Sequence, residues 1–75
     1  MKHDLEIDAI GLICPLPVLR LRKRMQPLSS GATIKLLASD PAAAVDVPHF
    51  CHENGHTFLG SEAEEQAEAY YIQKD

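Results

Sequence analysis

The residues best suited to chemistry lie in "GLICPLPVLR", Gly11 to Arg20, where a cysteine is followed by prolines one and three positions on. Neither Pro15 nor Pro17 carries a backbone N–H, so both fit the first turn of a helix, whose N–H groups lack intrahelical partners anyway. This spacing predicts Cys14 at the N-cap, Pro15 at the first helical position and Pro17 at the third. Ile13 and Val18 then take the positions of a hydrophobic staple. A residue before proline avoids the α region, so Cys14 would be held extended on a stiff mount. The positive end of a helix favours a thiolate and lowers a cysteine pKa. The prolines remove two of the amides that could bond the sulfur, so the expected activation is moderate. No second cysteine stands in C-x-x-C register, which excludes a thioredoxin-like dithiol. Position alone leaves Cys14 open between a buried structural thiol and an exposed reactive one. The proline pair favours the second, because a buried thiol gains nothing from such a mount. A single exposed sulfur with no resolving partner suits a covalent carrier of one atom or group.

Other reactive side chains are fewer. Cys51 follows Phe50 in a second helical segment and reads as core. His49, His52 and His56 crowd the same segment, but a zinc site needs about four closed ligands, and Gly55 should end the helix between His52 and His56. No metal site is expected. Arg20, Lys23 and Arg24 cluster on one face of the first helix, with Arg22 elsewhere. That patch reads as a solvated face, as a docking surface for an acidic partner beside Cys14, or as a tRNA contact. A net charge of −4 disfavours direct nucleic-acid binding, as does the scarcity of aromatics.

These side chains need a scaffold, and 75 residues allow one domain, residues 1–75. Such a chain buries roughly 60% of its unfolded surface. With no Trp, its core must come from Leu, Ile, Val and Ala. No apolar run approaches the roughly 20 residues that cross a bilayer. No secretory signal is visible in "MKHDLEID", and two cysteines are too few for a disulfide scaffold, so reduced thiols in a cytoplasmic setting are expected. Leu5, Ile7 and Ala9 alternate with polar residues, predicting a strand over about Asp4 to Ile10 that Gly11 ends. Val18, Leu21 and Met25 recur at helical spacing, predicting a helix from Pro15 to about Gln26. Ala32 to Ser39 reads as a central strand. Asp40 and Pro41 form a helix start. Pro48 then either kinks that helix or follows a short turn at Pro41 to Asp46. Asn54-Gly55 signals its C-terminus. "HTFLGSE" reads as a third strand. "EAEEQAEAYYIQK" is helix-prone in its first half and β-prone in its second. The β-α-β-α-β order indicates a two-layer α/β domain whose first two strands run parallel through a right-handed crossover.

"GLICPLPVLRLRK" resembles the C-P-x-P signature of the TusA-like sulfur carrier family. Leu5 to Gly11 and "SDPAAAVDVPHFC", Ser39 to Cys51, extend the likeness over nearly the whole chain. The resemblance implies an α/β (α+β) two-layer sandwich, β-α-β-α-β-β, with a four-stranded mixed sheet and two helices on one face. It therefore implies a C-terminal hairpin, with "AYYIQK" as an edge strand and the Glu62–Glu68 run as a solvated turn. It implies that Cys14 takes a persulfide from a cysteine desulfurase or a rhodanese-type donor and passes the outer sulfur to an acceptor protein. The carrier then works as a sulfurtransferase-type relay rather than a free-standing turnover enzyme. Gly11, Pro15 and Pro17 position the sulfur, and Ile13, Leu16, Arg20, Lys23 and Arg24 meet partners. No cofactor beyond the covalent persulfide, no direct nucleic acid and no membrane insertion are implied, and a monomer or weak dimer is expected. Each transfer is a thiolate displacement governed by thiolate fraction and access, so no general base is required. Many relatives carry a charge where this chain has Ile13. That departure and the acidic tail point toward sulfur trafficking other than tRNA thiolation, such as sulfur oxidation or thiosulfate use. A non-catalytic interaction or regulatory domain on the same fold is the alternative reading.

Overall fold

The computed structural model describes residues 2–75. In chain order the elements are β1 (Leu5–Ala9), α1 (Leu16–Met25), β2 (Thr33–Ala38), α2 (Ala43–Asn54), β3 (Thr57–Ala63) and β4 (Glu68–Gln73). The four strands form one sheet in the order β1-β2-β4-β3. β1 and β2 are parallel, as the intervening helix requires. β4 lies antiparallel to both β2 and β3. The expected β-α-β-α-β-β sandwich with a mixed sheet is therefore observed.

Alternation along the strands decides which side is covered. Ile7, Ala9, Ile34, Leu36, Ala38, Tyr70 and Ile72 share one buried cluster with residues of both helices. From α1 come Leu21 and Met25, and from α2 come Ala43, Val47, Phe50 and Cys51. Both helices thus pack on one face. Fully burying side chains the size of Ile7, Leu21, Ile34 or Leu36 stabilises by about 1.5–3 kcal/mol each. On the other face the sheet is tied by polar groups. Lys35 Nζ pairs with Glu64 at 2.9 Å, and the Tyr71 hydroxyl donates to Glu62 Oε1 at 3.1 Å.

The tail departs from expectation in one respect. Its hairpin is present, closed by the Glu64 N–H on the Ala67 carbonyl at 2.8 Å. However, the strand formed from "AYYIQ" is interior, and β3 is the edge on its side of the sheet, opposite β1. The reason is visible in its burial. Ala69, Tyr70, Tyr71 and Ile72 are all buried, and only a strand flanked on both sides and covered by a network on its open face buries consecutive residues. β3 carries the irregularity instead, a register shift between Phe58 and Gly60, as suits an exposed edge. The Glu62–Glu68 run is likewise only partly a turn, since Glu62 and Ala63 belong to β3 and Glu68 to β4.

α2 runs without interruption through Pro48. Pro48 withholds one N–H from the helix, but Val47, Phe50 and Cys51 beside it are buried, and their packing holds the segment helical. The helix ends at Gly55, which takes the left-handed conformation at φ 74°. The His56 N–H reaches back to the Cys51 carbonyl at 2.9 Å, and the Asn54 side chain donates to the Phe50 carbonyl.

Candidate functional site: the Cys14 mount

Because β1 and β2 are parallel, the loops that follow them emerge at the same end of the sheet, and the two meet there. Gly11 turns the chain away from β1 at φ 87°, a conformation that glycine adopts without penalty. Its N–H donates to Ser39 Oγ at 2.9 Å. Three residues on, the Cys14 N–H donates to Asp40 Oδ2 at 2.7 Å. The other Asp40 oxygen accepts the Ala42 N–H at 3.0 Å. One carboxylate therefore ties the cysteine backbone to the turn that opens α2. The two amides hold the Asp40 carboxyl below its ordinary pKa of 3.8, since a carboxylate accepting N–H bonds is favoured in its charged form.

Cys14 itself is exposed. It is not the N-cap of α1. Pro15 takes that position at φ −99° with no side-chain cap, and Leu16 begins the helix. The Cys14–Pro15 peptide is cis, and the Ile13 carbonyl accepts the Leu16 N–H at 2.9 Å. Cys14 and Pro15 are therefore the two central residues of a tight turn, which displaces the cysteine one place ahead of the expected position. Pro17 falls at the second helical position and is buried. The staple does not form, because Ile13 is 69% exposed. The mount is instead made by the contacts to Ser39 and Asp40.

The electrostatic expectation is also overturned. The Cys14 thiol is pushed above its ordinary pKa rather than below it. A hydrogen bond to the Asp46 side chain is the leading cause, followed by desolvation and by the negative charges of Asp46 and Asp40. Asp46 in the first turn of α2 and Asp40 in the turn before it both act in this direction. Beside the sulfur, Cys14, Pro15, Val18, Asp46, His49, Phe50, Glu53 and Asn54 line a cavity of about 250 Å³ between the two helices.

On the outer side of α1, Leu16, Leu19, Arg20, Lys23 and Arg24 line an open depression. Arg20 is anchored there by donating to the Asp8 carbonyl at 2.9 Å. With exposed Ile10 and Ile13, this surface is apolar beside the sulfur and basic further along the helix. Arg22 is not part of it. Cys51 is buried at 1% exposure, and burial pushes its thiol up to about 11. The histidines disperse: His49 faces Glu53 at 3.6 Å, His56 accepts the Asp75 N–H and packs against Phe50, and His52 is exposed.

The sequence pattern had marked Cys14, Gly11, Pro15, Pro17, Ile13, Leu16, Arg20, Lys23 and Arg24, and the structure gathers them at one end of the molecule and along α1. It had given Asp40 only a capping role and had passed over Ser39 and Asp46. Their signal was the Ser-Asp pair directly after β2, since loops after adjacent parallel strands meet at one sheet end.

The family model described as sulfurtransferase TusA matches residues 5–74. The chain belongs to the TusA family. A protein named sulfur carrier protein TusA from Pseudomonas entomophila (strain L48) is 42% identical over 72 residues, covering 96% of this chain and 90% of the relative. One of the same name from Pseudomonas syringae pv. syringae (strain B728a) is 41% identical over 71 residues, covering 95% and 84%. The crystal structure of a SirA-like protein from Desulfitobacterium hafniense superposes with a TM-score of 0.76 at 23% identity, covering 93% of this chain and 96% of that one. The TusA fold is thus present without embellishment. No helix among its described residues is long and apolar enough to cross a membrane.

Proposed function

We propose that this TusA-family chain is a sulfur carrier that accepts a persulfide sulfur on Cys14 and relays it to an acceptor protein in the cytoplasm. The observation that carries the reading is the contrast between its two thiols: Cys14 is exposed at the molecule's end and Cys51 is buried. The names of the Pseudomonas relatives support it. The Cys14 sulfur attacks the outer sulfur of a donor persulfide, supplied by a cysteine desulfurase or a rhodanese-type protein. The acceptor's thiolate later attacks the outer sulfur of the Cys14 persulfide. Both are thiol exchange steps that need an accessible sulfur, and no cofactor beyond the covalent persulfide takes part. Ile13 and Leu16 supply the apolar part of the docking surface, and Arg20, Lys23 and Arg24 steer an acidic partner toward it. Gly11, Pro15 and Pro17 fix where the sulfur stands. The acceptor serves tRNA thiolation, sulfur oxidation or thiosulfate use, and its identity lies in the partner rather than in this chain.

The test is intact mass after incubation with a cysteine desulfurase and cysteine, or with a rhodanese and thiosulfate. A gain of one sulfur atom, reversed by dithiothreitol and absent in Cys14→Ser, is the expected result. A folded protein that gains no sulfur from either donor overturns the proposal.

A further inference from the structure

A further depression, of about 480 Å³, lies beside the turn that joins β2 to α2. Ser39 and Asp40 line it from that turn, Ser61 from β3, Gln66 and Glu68 from the β3–β4 hairpin, and Tyr70 from β4. Ser39 and Asp40 are the residues that hold the Gly11 and Cys14 amides, so the depression adjoins the cysteine mount. Tyr70 is 3% exposed, yet its hydroxyl bonds to nothing within the protein, whereas the Tyr71 hydroxyl donates to Glu62. Among the described residues no buried side-chain oxygen or nitrogen lacks a partner. The small exposed part of Tyr70 therefore includes its hydroxyl, and the depression that Tyr70 lines is where a partner atom reaches it. A phenol packed in the core with its oxygen unpaired is equipped to bond a group from outside. The other polar groups keep acceptor capacity as well. Each Asp40 oxygen takes one amide and has a second lone pair. Glu68 forms no ion pair within the described residues. No Lys, Arg or His lines the depression.

Resting on the carrier reading, we propose that this depression is a docking site for an arginine side chain of a sulfur-relay partner. The charges select a cation, since Asp40 and Glu68 are its only ionised groups. Among the described residues no group of three His, Cys, Asp or Glu could hold a metal ion, which leaves an organic cation. The acceptors select arginine over lysine. They come from three separate segments, and a planar guanidinium spreads five donors where an ammonium has three on one atom. The Tyr70 hydroxyl, the Glu68 carboxylate and the free lone pairs of Asp40 take those donors. The site is opposite in sign to the depression on α1 that Arg20, Lys23 and Arg24 line. A partner that presents acids to α1 and an arginine to Tyr70 is thereby fixed in orientation at the end that carries Cys14.

The measurement is a titration of the full ¹⁵N-labelled chain with N-acetyl-arginine amide, followed by the amide shifts of Ser39, Ser61, Gln66 and Glu68. The expected result is a saturable shift of these amides with a Kd in the millimolar range. N-acetyl-lysine amide should bind several-fold more weakly, and N-acetyl-leucine amide should give no saturable shift. Tyr70→Phe removes only the hydroxyl and should weaken the arginine probe about fivefold. Glu68→Gln removes one charge and should weaken it about tenfold. If Tyr70→Phe does not fold, Glu68→Gln, on the hairpin side, carries the test. Shifts that never saturate, equal binding of lysine and arginine probes, or an affinity that folded variants leave unchanged overturn the proposal. So does a shift of the same amides on raising the protein concentration without any probe, because a second copy then fills the depression. The titration involves no sulfur, so the two ideas fail separately. Saturable arginine binding without persulfide gain from any donor removes the carrier and leaves the arginine site, whereas normal loading without saturable binding removes the arginine site alone.

Discussion

Cys14→Ser leaves Cys51 as the chain's one thiol, and the structure dictates how slowly that thiol must react. Cys51 is 1% exposed, so a bulky disulfide reagent reaches it only when the fold opens. A chain of this length has a folding free energy of about 4–11 kcal/mol at roughly 0.05–0.15 kcal/mol per residue. The open fraction is then between about 10⁻³ and 10⁻⁸. Rare attack without opening gains nothing, because a thiol pushed up to about 11 is about one part in a thousand thiolate at pH 8. The assay is release of thionitrobenzoate from 5,5′-dithiobis(2-nitrobenzoate) at pH 8, with and without guanidinium chloride. Expected for Cys14→Ser is labelling at least a few hundred times slower in buffer than in denaturant. The wild type should show one prompt thiol and one slow one in buffer. Cys51 labelling in buffer within tenfold of its denatured rate would refute both the burial of Cys51 and the assignment of all thiol chemistry to Cys14.

Three further outcomes follow from particular contacts. Leu21→Ala empties a fully buried site on α1 and should cost about 2–5 kcal/mol, measured by urea unfolding. Gly11→Ala meets no atom within 4 Å of the new methyl, so its cost is conformational, about 1–2 kcal/mol at positive φ, again read by urea unfolding. Asp40 has a folded pKa below its ordinary 3.8. It therefore contributes stability that is complete at neutral pH and is lost as pH falls from the ordinary value through the lower folded one. In Asp40→Asn that part of the acid limb should flatten when unfolding free energy is measured against pH.

The parts of the fold legible in the sequence were those fixed locally. Alternation in Leu5–Ala9, the glycines at 11, 31 and 55 and the Asp40-Pro41 turn place their elements within a residue or two of the observed bounds. Strand order is not local, and β4 was misplaced at the edge. A cue was nevertheless present, because "AYYI" is a continuous apolar run, and an edge strand with one open face would alternate. The position of Cys14 relative to α1 turned on the geometry of one tight turn, which residue type alone does not specify. The direction of its pKa turned on Asp46, 32 positions away in sequence and brought alongside only when α2 packs beside α1.

What the two helices do for the sulfur is thus different from what they do for the core. Leu21, Met25, Val47 and Phe50 fasten α1 and α2 to the sheet, while the segment around the cysteine touches that core through the half-buried Leu12 and Val18. Its place is set by two bonds across the parallel strand ends, Gly11 to Ser39 and Cys14 to Asp40. Both use backbone amides as donors, so they locate the chain without occupying the cysteine side chain. The sulfur itself stands exposed, at a cavity that Asp46 also lines. That division lets a thin 75-residue core keep its packing while the thiol gains and loses a sulfur atom at its surface. An exchange of one S–H for one S–S–H there changes no buried contact, and loaded and unloaded carrier should unfold at closely similar denaturant concentrations.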